Sequence, residues 1–309
     1  MKPKKIIVVG STNMDMVVKT DYIPAPGETV LSGAFFMNPG GKGANQAVAI
    51  SRLGGEVVFI TKLGNDIFGK QFSELFKQEG INTSFILSDE DLPSGVALIT
   101  VDKSGENSIV VASGANASLN REDLRLALPE IDNAAFLVLQ LEIPMATVEY
   151  VVAYAYEHQI SVILNPAPAG FLPDTLLQKI DILTPNSKEA SNIAGIAVDT
   201  IDNAFDAARI IWGKGVANVV VTMGALGAVI CERGKCYHIP SSEVKAVDTT
   251  AAGDVFTGAI AVALSEGNTL AEAVKFACAA AAISVTRLGA QSSIPNRNEV
   301  IAQQPQLKF

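Results

Sequence analysis

Residues 247–258 read Val-Asp-Thr-Thr-Ala-Ala-Gly-Asp-Val-Phe-Thr-Gly. Three small residues, Ala251, Ala252 and Gly253, stand directly before Asp254, and an apolar helical run follows: Val255, Phe256, Ala259, Ile260, Val262, Ala263. A turn of small residues that opens a helix leaves backbone N–H groups without intrahelical partners. Those donors sit at the positive end of the helix dipole and form an anion site. Asp254 would repel such an anion, so a carboxylate there suggests chemistry. It could act as general base for a hydroxyl that attacks a phosphate held by the N–H groups of residues 251–253. The alternative makes Asp254 a helix cap and the small residues a plain tight turn.

Outward from this stretch, short β-rich apolar runs alternate with amphipathic segments. The runs are Ile6–Val9, Val57–Lys62, Phe136–Leu141, Ser161–Leu164, Ile180–Leu183 and Val219–Thr222. The amphipathic segments are 43–53, 66–79, 145–158, 187–194 and 203–213, and 254–266 and 270–287 read as helices near the C-terminus. Alternating βα units predict a mainly parallel, doubly wound sheet flanked by helices. Two segments break the rhythm. Residues 14–38 carry alternating stretches such as Met16-Val17-Val18 and Thr29-Val30-Leu31 with no helix between them. Residues 94–112 carry Gly95–Val101 and Ser108–Val111 around a hairpin-like Asp102-Lys103-Ser104-Gly105-Glu106-Asn107. They could build a small antiparallel sheet beside the main one, or extend it. With no internal repeat or linker tract, residues 1–309 read as one folding unit.

Composition narrows the function. Hydrophobic residues are 49% and charged residues 18%, which fits a soluble protein with a large core. A formal net charge of −9 argues against a nucleic-acid partner. The opening Met1-Lys2-Pro3-Lys4-Lys5-Ile6-Ile7-Val8-Val9-Gly10 mimics a signal peptide, but its apolar run is too short and reads better as a first strand. No apolar run approaches the ~20 residues that span a bilayer, so no membrane partner is expected. Cys231, Cys236 and Cys278 are odd in number and lack zinc-site spacing, which fits a reducing cytoplasm better than a disulfide scaffold. Only His158 and His238 are available for a catalytic triad or a His-rich metal site, which disfavours both.

Near the N-terminus, Asn13 and Asp15 follow the first strand, where α/β sheets place their ligand crevices. Asn donates and accepts, and ionised Asp accepts several hydroxyls, as a sugar requires; a turn or cap is the alternative. Asn38-Pro39-Gly40-Gly41-Lys42-Gly43-Ala44-Asn45-Gln46-Ala47 then supplies a glycine-rich turn. It is not a Walker A loop, because position 36 is Phe and Gly43 replaces the Ser or Thr. No Gly-x-Gly-x-x-Gly follows the first strand either.

Together the two stretches resemble the signature motifs of the ribokinase/PfkB family of carbohydrate kinases. The similarity runs from Gly10-Ser11-Thr12-Asn13-Met14-Asp15 to Gly289-Ala290-Gln291. Between them match Pro24-Ala25-Pro26-Gly27-Glu28-Thr29, Gln140-Leu141-Glu142, Asn165-Pro166-Ala167-Pro168 and Thr184-Pro185-Asn186-Ser187-Lys188-Glu189. One departure is Ala251, where the family usually has glycine. The resemblance implies transfer of the ATP γ-phosphate to a sugar hydroxyl, and motif order and spacing lean toward the 5-hydroxyl of D-ribose. Another small sugar or nucleoside (deoxyribose, fructose, adenosine), or a catalytically dead sugar-binding regulator, stays open.

The resemblance also implies residue roles. Asn13, Asp15, Gly41, Lys42, Asn45, Glu142 and Asp254 would hold the sugar. Asn186 and Glu189 would lie near the phosphates and Mg²⁺, acting largely through waters; locally they also read as a cap with an exposed acid. Thr222, Gly224 and Gly227, locally a hairpin turn, would approach ATP along with Gly253, and Cys278 would touch the adenine edge unless it is simply a core residue. Asp248, Thr250, Ser284, Arg287, Gly289 and Ser293 would bind K⁺, mostly through backbone carbonyls; as ordinary residues, Asp248 is a turn residue and Ser293 a surface hydroxyl. The segments 14–38 and 94–112 would form a lid over the sugar and clasp a second lid in a homodimer.

Overall fold

The computed structural model describes residues 5–31 and 33–303. The chain runs β1 (Ile6–Val9), β2 (Asn13–Lys19), β3 (Ala34–Gly40), α1 (Lys42–Arg52), β4 (Val57–Gly64), α2 (Ile67–Gln78), β5 (Asn82–Asp89), β6 (Gly95–Val101) and β7 (Asn107–Ala112). It continues through α3 (Arg121–Leu124), α4 (Leu128–Ile131), β8 (Phe136–Leu139), α5 (Met145–Glu157), β9 (Ser161–Leu164), α6 (Asp174–Leu177), β10 (Ile182–Leu183), α7 (Ser187–Ala194) and α8 (Ile201–Gly213). The last part holds β11 (Asn218–Thr222), β12 (Ala228–Glu232), β13 (Lys235–Ile239), α9 (Ala252–Ser265), α10 (Leu270–Ser284) and α11 (Arg297–Gln303).

Among the described residues, one nine-stranded sheet has the order β13-β12-β11-β10-β9-β8-β1-β4-β5. Its pairs from β5 through β11 are parallel, and only β11–β12 and β12–β13 are antiparallel. Side chains alternate along a strand. Ile6 and Val8 therefore enter one core, with α1, α2, α9 and α10, while Ile7 and Val9 enter the other, with α3 to α8. Both faces are apolar, as a strand covered by helices on both sides requires.

The second sheet has the order β3-β2-β6-β7. Its outer pairs are antiparallel, whereas β2 and β6 run parallel in the middle, because the chain passes through β4, α2 and β5 before β6 returns beside β2. It is a separate sheet and does not extend the main one. Gly95–Val101 and residues 107–112 form the expected hairpin, with Gly105 N–H bonded to the Asp102 carbonyl at 3.1 Å. Thr29-Val30-Leu31 is not a strand: Leu31 is 97% exposed, and the segment pairs with no strand among the described residues.

Other expectations change in detail. Strand Phe136–Leu141 stops at Leu139, and Ile180–Leu183 shrinks to Ile182–Leu183. Strand β5 and the β12–β13 hairpin have no counterpart in the sequence reading. That omission hid a cysteine pair. Cys231 and Cys236 stand opposite each other in the hairpin register, with Cα atoms 4.1 Å apart, and form a disulfide; only Cys278 is free. The expectation of unpaired cysteines is corrected accordingly. Of the signal-like opening, Met1–Lys4 lies outside the described residues, and the apolar run after it is β1. Among the described residues no helix is long and apolar enough to cross a membrane.

Candidate active site

Strand order reverses at β1, with β4 on one side and β8 on the other. Such a switch point opens a crevice at the carboxyl ends of the strands. Residues after β1 and β8 meet there. The Ser11 hydroxyl donates to Glu142 Oε2 at 2.6 Å, and the Lys42 N–H donates to the same oxygen at 3.0 Å. Asn13 Nδ2 reaches it at 3.4 Å, while Asn13 Oδ1 accepts from Asn116 Nδ2 at 2.8 Å. Gly41 caps α1 with φ +90°, and a Cβ there would lie 2.6 Å from the Asn13 nitrogen. Only glycine allows both that backbone and that approach. The predicted sugar residues Asn13, Asp15, Gly41, Lys42, Asn45 and Glu142 thus share one crevice, and Asp254 closes it.

Asp254 is the third residue of α9 and is buried. Its Oδ2 accepts from Asn45 Nδ2 at 2.9 Å, and its Oδ1 from Gln46 Nε2 at 3.0 Å. Asn45 Oδ1 is buried without a partner among the described residues. The helix begins at Ala251, whose φ of +61° is left-handed. Ala252 N–H contacts the Thr249 carbonyl at 3.3 Å and Val255 N–H bonds to Ala251 at 2.9 Å. The N–H groups of Ala251, Gly253 and Asp254 have no partner among the described residues. Gly253 borders open space. The turn therefore offers free donors beside a carboxylate, and its own cap makes no side-chain hydrogen bond.

Charge is concentrated here. Lys42 faces Asp254, Glu142, Glu189 and Asp15; burial opposes its charge, but those carboxylates hold the ammonium above the usual lysine range. Burial pushes the Asp254 carboxyl up, against the pull of Lys42, Asn45 and Gln46. Burial, together with the Glu142 and Asp254 carboxylates, raises Asp15 to about 7. A carboxylate raised toward neutrality is a better proton acceptor than an ordinary aspartate.

On the other side of the crevice, Asn186 caps α7 in a reciprocal box. Glu189 N–H donates to Asn186 Oδ1 at 2.8 Å and Asn186 N–H to Glu189 Oε2 at 2.9 Å. Glu189 is buried, not exposed as a cap reading expects, and burial raises its carboxyl. Asn186 also bridges to Thr222, which brings two predicted nucleotide residues together. Thr222 to Gly227 is the β11–β12 hairpin connection. Gly227 has φ +94°, and a Cβ there would lie 2.7 Å from the Ser241 nitrogen, so packing against the end of β13 explains this glycine. Gly224 borders open space. Cys278 lies in the α9–α10 core, and burial pushes its thiol to about 12.

Asp248, Thr250 and Gly289 come together. Asp248 Oδ1 accepts from the Thr250 N–H at 2.9 Å and hydroxyl at 2.6 Å, and Oδ2 accepts from the Gly289 N–H at 2.9 Å. Burial works against the Asp248 charge, yet these bonds hold its carboxyl below the ordinary range. Ser284 and Ser293 are buried, and their hydroxyls donate to the Ala281 and Ala290 carbonyls at 2.9 and 2.7 Å. Ser293 is therefore no surface hydroxyl. The Arg287 guanidinium turns away to Glu299. Among the described residues no three His, Cys, Asp or Glu side chains gather as a metal-ligand set. A cleft of about 1100 Å³ separates this segment from the inner face of the second sheet, with Asp15, Phe36, Asn38 and Ile99 on one wall.

Sequence reasoning assigned no role to Ser11, Gln46, Asn116, Gln140 or Asn165. Gln46, Gln140 and Asn165 lie inside quoted motifs, but only the fold shows what they touch. Asn116 carries no sequence signal.

A model described as pfkB family carbohydrate kinase matches residues 3–297. A ribokinase of Haemophilus influenzae is 45% identical over 298 residues, covering 96% of this chain and 97% of its own. A deoxyribokinase of Salmonella typhi is 40% identical over 292 residues, covering 94% and 95%. The structure of Arabidopsis thaliana ribokinase complexed with ribose and ATP superposes with a TM-score of 0.88 at 34% identity, covering 100% of both chains. Since the match runs through both small-residue turns and the whole main sheet, this chain belongs to the pfkB family of carbohydrate kinases.

Proposed function

We propose that this protein transfers the γ-phosphoryl group of ATP to the 5-hydroxyl of D-ribose, giving D-ribose 5-phosphate and ADP. The observation that carries the reading is Asp254: a buried carboxylate whose oxygens are held by Asn45 and Gln46, beside unpaired N–H groups at a helix start. Ribose lies against Asn13, Asp15, Gly41, Lys42, Asn45 and Glu142. Asn45 Oδ1, buried and unpartnered, accepts one sugar hydroxyl. ATP lies across Asn186, Glu189, Thr222 and Gly224, with Gly227, Gly253 and Cys278 at its margins.

Asp254 takes the proton of the 5-hydroxyl. A bond forms between that oxygen and the γ-phosphorus as the bond to the β–γ bridging oxygen breaks, and the electron pair leaves with ADP. The N–H groups of Ala251 and Gly253 meet the charge on the transferred group, and Ala252 joins by giving up its long contact to Thr249. Most of the acceleration is positioning and electrostatics.

Mg²⁺ fits beside Glu189, a buried carboxylate whose Oε2 accepts from the Asn186 N–H at 2.9 Å. It would neutralise phosphate charge largely through waters. K⁺ fits the loop of Asp248, Thr250, Ser284, Arg287, Gly289 and Ser293. One carboxylate supplies its charge, one hydroxyl oxygen keeps lone pairs free for it while donating its own proton, and the rest falls to backbone carbonyls. A cation there would stiffen the turn that opens α9.

We read residues 1–309 as one kinase unit with the second sheet as its lid. The outer lid face exposes Met37, Leu98 and Val110 in one row of the register, with Phe35 on the same face two residues along β3. Such a patch needs a cover, and a second lid is the self-complementary one. Use of ATP as the phosphoryl donor supports a cytoplasmic location.

The deoxyribokinase relative favours a second reading, in which 2-deoxyribose is the acceptor. An ADP-release assay with both sugars separates them. Ribose should be preferred by ~5–150-fold in kcat/KM, the cost of leaving one buried polar group unpaired. Equal values leave only a pentose kinase, and no ADP release with any sugar leaves a binding protein.

A further inference from the structure

A chain of buried amides runs behind Asp254. Asn165 Nδ2 donates to the Thr184 backbone carbonyl at 3.0 Å. A carbonyl can only accept, so this bond fixes which end of the Asn165 amide is which. Asn165 Oδ1 then faces Gln46 and accepts from its Nε2 at 3.3 Å. The same Nε2 donates to Asp254 Oδ1 at 3.0 Å, and Gln46 Oε1 accepts from Gln140 Nε2 at 2.6 Å. Gln46 and Gln140 are about fully buried, and Asn165 nearly so. One backbone carbonyl in the strand-end segment after β10 thereby sets the polarity of an amide on α1 toward a carboxylate on α9.

We propose that Gln46, oriented by Asn165, is a positioning residue that fixes the rotamer of Asp254 and favours its ionised form, so that its remaining lone pairs face the sugar hydroxyl. The proposal rests on the reading of Asp254 as the base. A donor pointed at a carboxylate stabilises its charge, and a flipped amide would repel it. The ionisable groups facing Asp254 are Lys42 on α1, Asp15 on β2, Glu142 after β8 and Glu189 on α7. α10, packed along α9, adds apolar residues and the Cys278 thiol. Lys42 alone favours the charge, so the amides of Asn45 and Gln46 supply the rest of the support.

The test compares wild type with Gln46→Met and Gln46→Glu, using single-turnover phosphoryl transfer to ribose across pH and ribose binding by calorimetry. Loss of the donor should lower the transfer rate ~10–100-fold with ribose Kd nearly unchanged. The acidic limb of the rate profile should move up by about 1–2 pH units, further for the Glu variant, which adds a like charge. Asn165→Leu, which does not touch Asp254, should move the limb the same way by less. Unchanged rate and limb in a folded Gln46→Met protein overturn the proposal; should that variant not fold, Gln46→Glu, of equal volume, decides by the same readings. Asp254→Asn separates the two levels: near-native turnover there overturns the base itself, whereas an inactive Asp254→Asn with an unmoved Gln46→Met limb overturns only the positioning role.

Discussion

Asn45 and Asp254 lie 209 positions apart in the chain, yet Asn45 Nδ2 donates to Asp254 Oδ2 at 2.9 Å. The contact ties the glycine-rich turn of α1 to the small-residue turn of α9, so the two turns are held as one unit. Replacing Asp254 by Asn keeps the shape and removes the proposed base. We expect kcat to fall by about 10²–10⁴-fold, with ribose and ATP still bound. Turnover within a few-fold of wild type, in a variant that binds both substrates, would show that Asp254 is not the base.

The proposed cation loop makes a prediction in a different assay. K⁺ at fixed Mg²⁺ should raise activity above that in tetramethylammonium chloride of equal ionic strength, and Na⁺ should substitute poorly. The Asp248 carboxylate, shared among the N–H groups of Thr250 and Gly289, is the motive. Identical rates in all three salts would leave the loop a purely structural clasp.

Ala251 occupies a left-handed conformation at φ +61°. An L-residue there costs roughly 1–2 kcal/mol that glycine avoids. Ala251→Gly should therefore stabilise the protein, offset in part by the greater freedom of glycine in the unfolded chain. We expect a Tm higher by a few degrees with turnover retained. A lower Tm would mean that the alanine methyl contributes packing that outweighs the strain.

Asp15 links the site to stability. Its folded carboxyl stands at about 7, raised by burial and by Glu142 and Asp254, against about 3.9 when unfolded. Below the unfolded value the group is protonated in both states and costs nothing. As pH rises toward 7 the unfolded chain releases that proton and the folded one keeps it, so folding loses stability until the folded group also ionises. Asp15→Asn should thus melt higher than wild type at pH 8, with the gap closing toward pH 4. A gap independent of pH would remove the electrostatic explanation.

The lid can be tested by association. Leu98→Asp on the exposed outer face of β6 should convert a dimer to a monomer in sedimentation and weaken ribose use. A wild-type protein that sediments as a monomer at micromolar concentration with full activity would rule out clasped lids.

The sequence by itself determined the alternation of strands and helices, because apolar periodicity is local and survives without tertiary context. Ile6–Val9, Ser161–Leu164 and the helix at 187–194 needed no neighbours to be legible. It also marked the two turns, since runs of small residues beside Lys42 and Asp254 are rare enough to stand out. Only the tertiary structure decided what those turns touch. The amides of Gln46 and Asn165 look like ordinary helix and strand-end residues until α1, α9 and the segment after β10 are packed together. The Cys231–Cys236 pair needed the β12–β13 register, and the burial of Glu189 needed the crevice around α7. Hydrogen bonds between residues far apart in the chain leave no periodic trace, so their partners are set by the fold and not by the neighbouring letters.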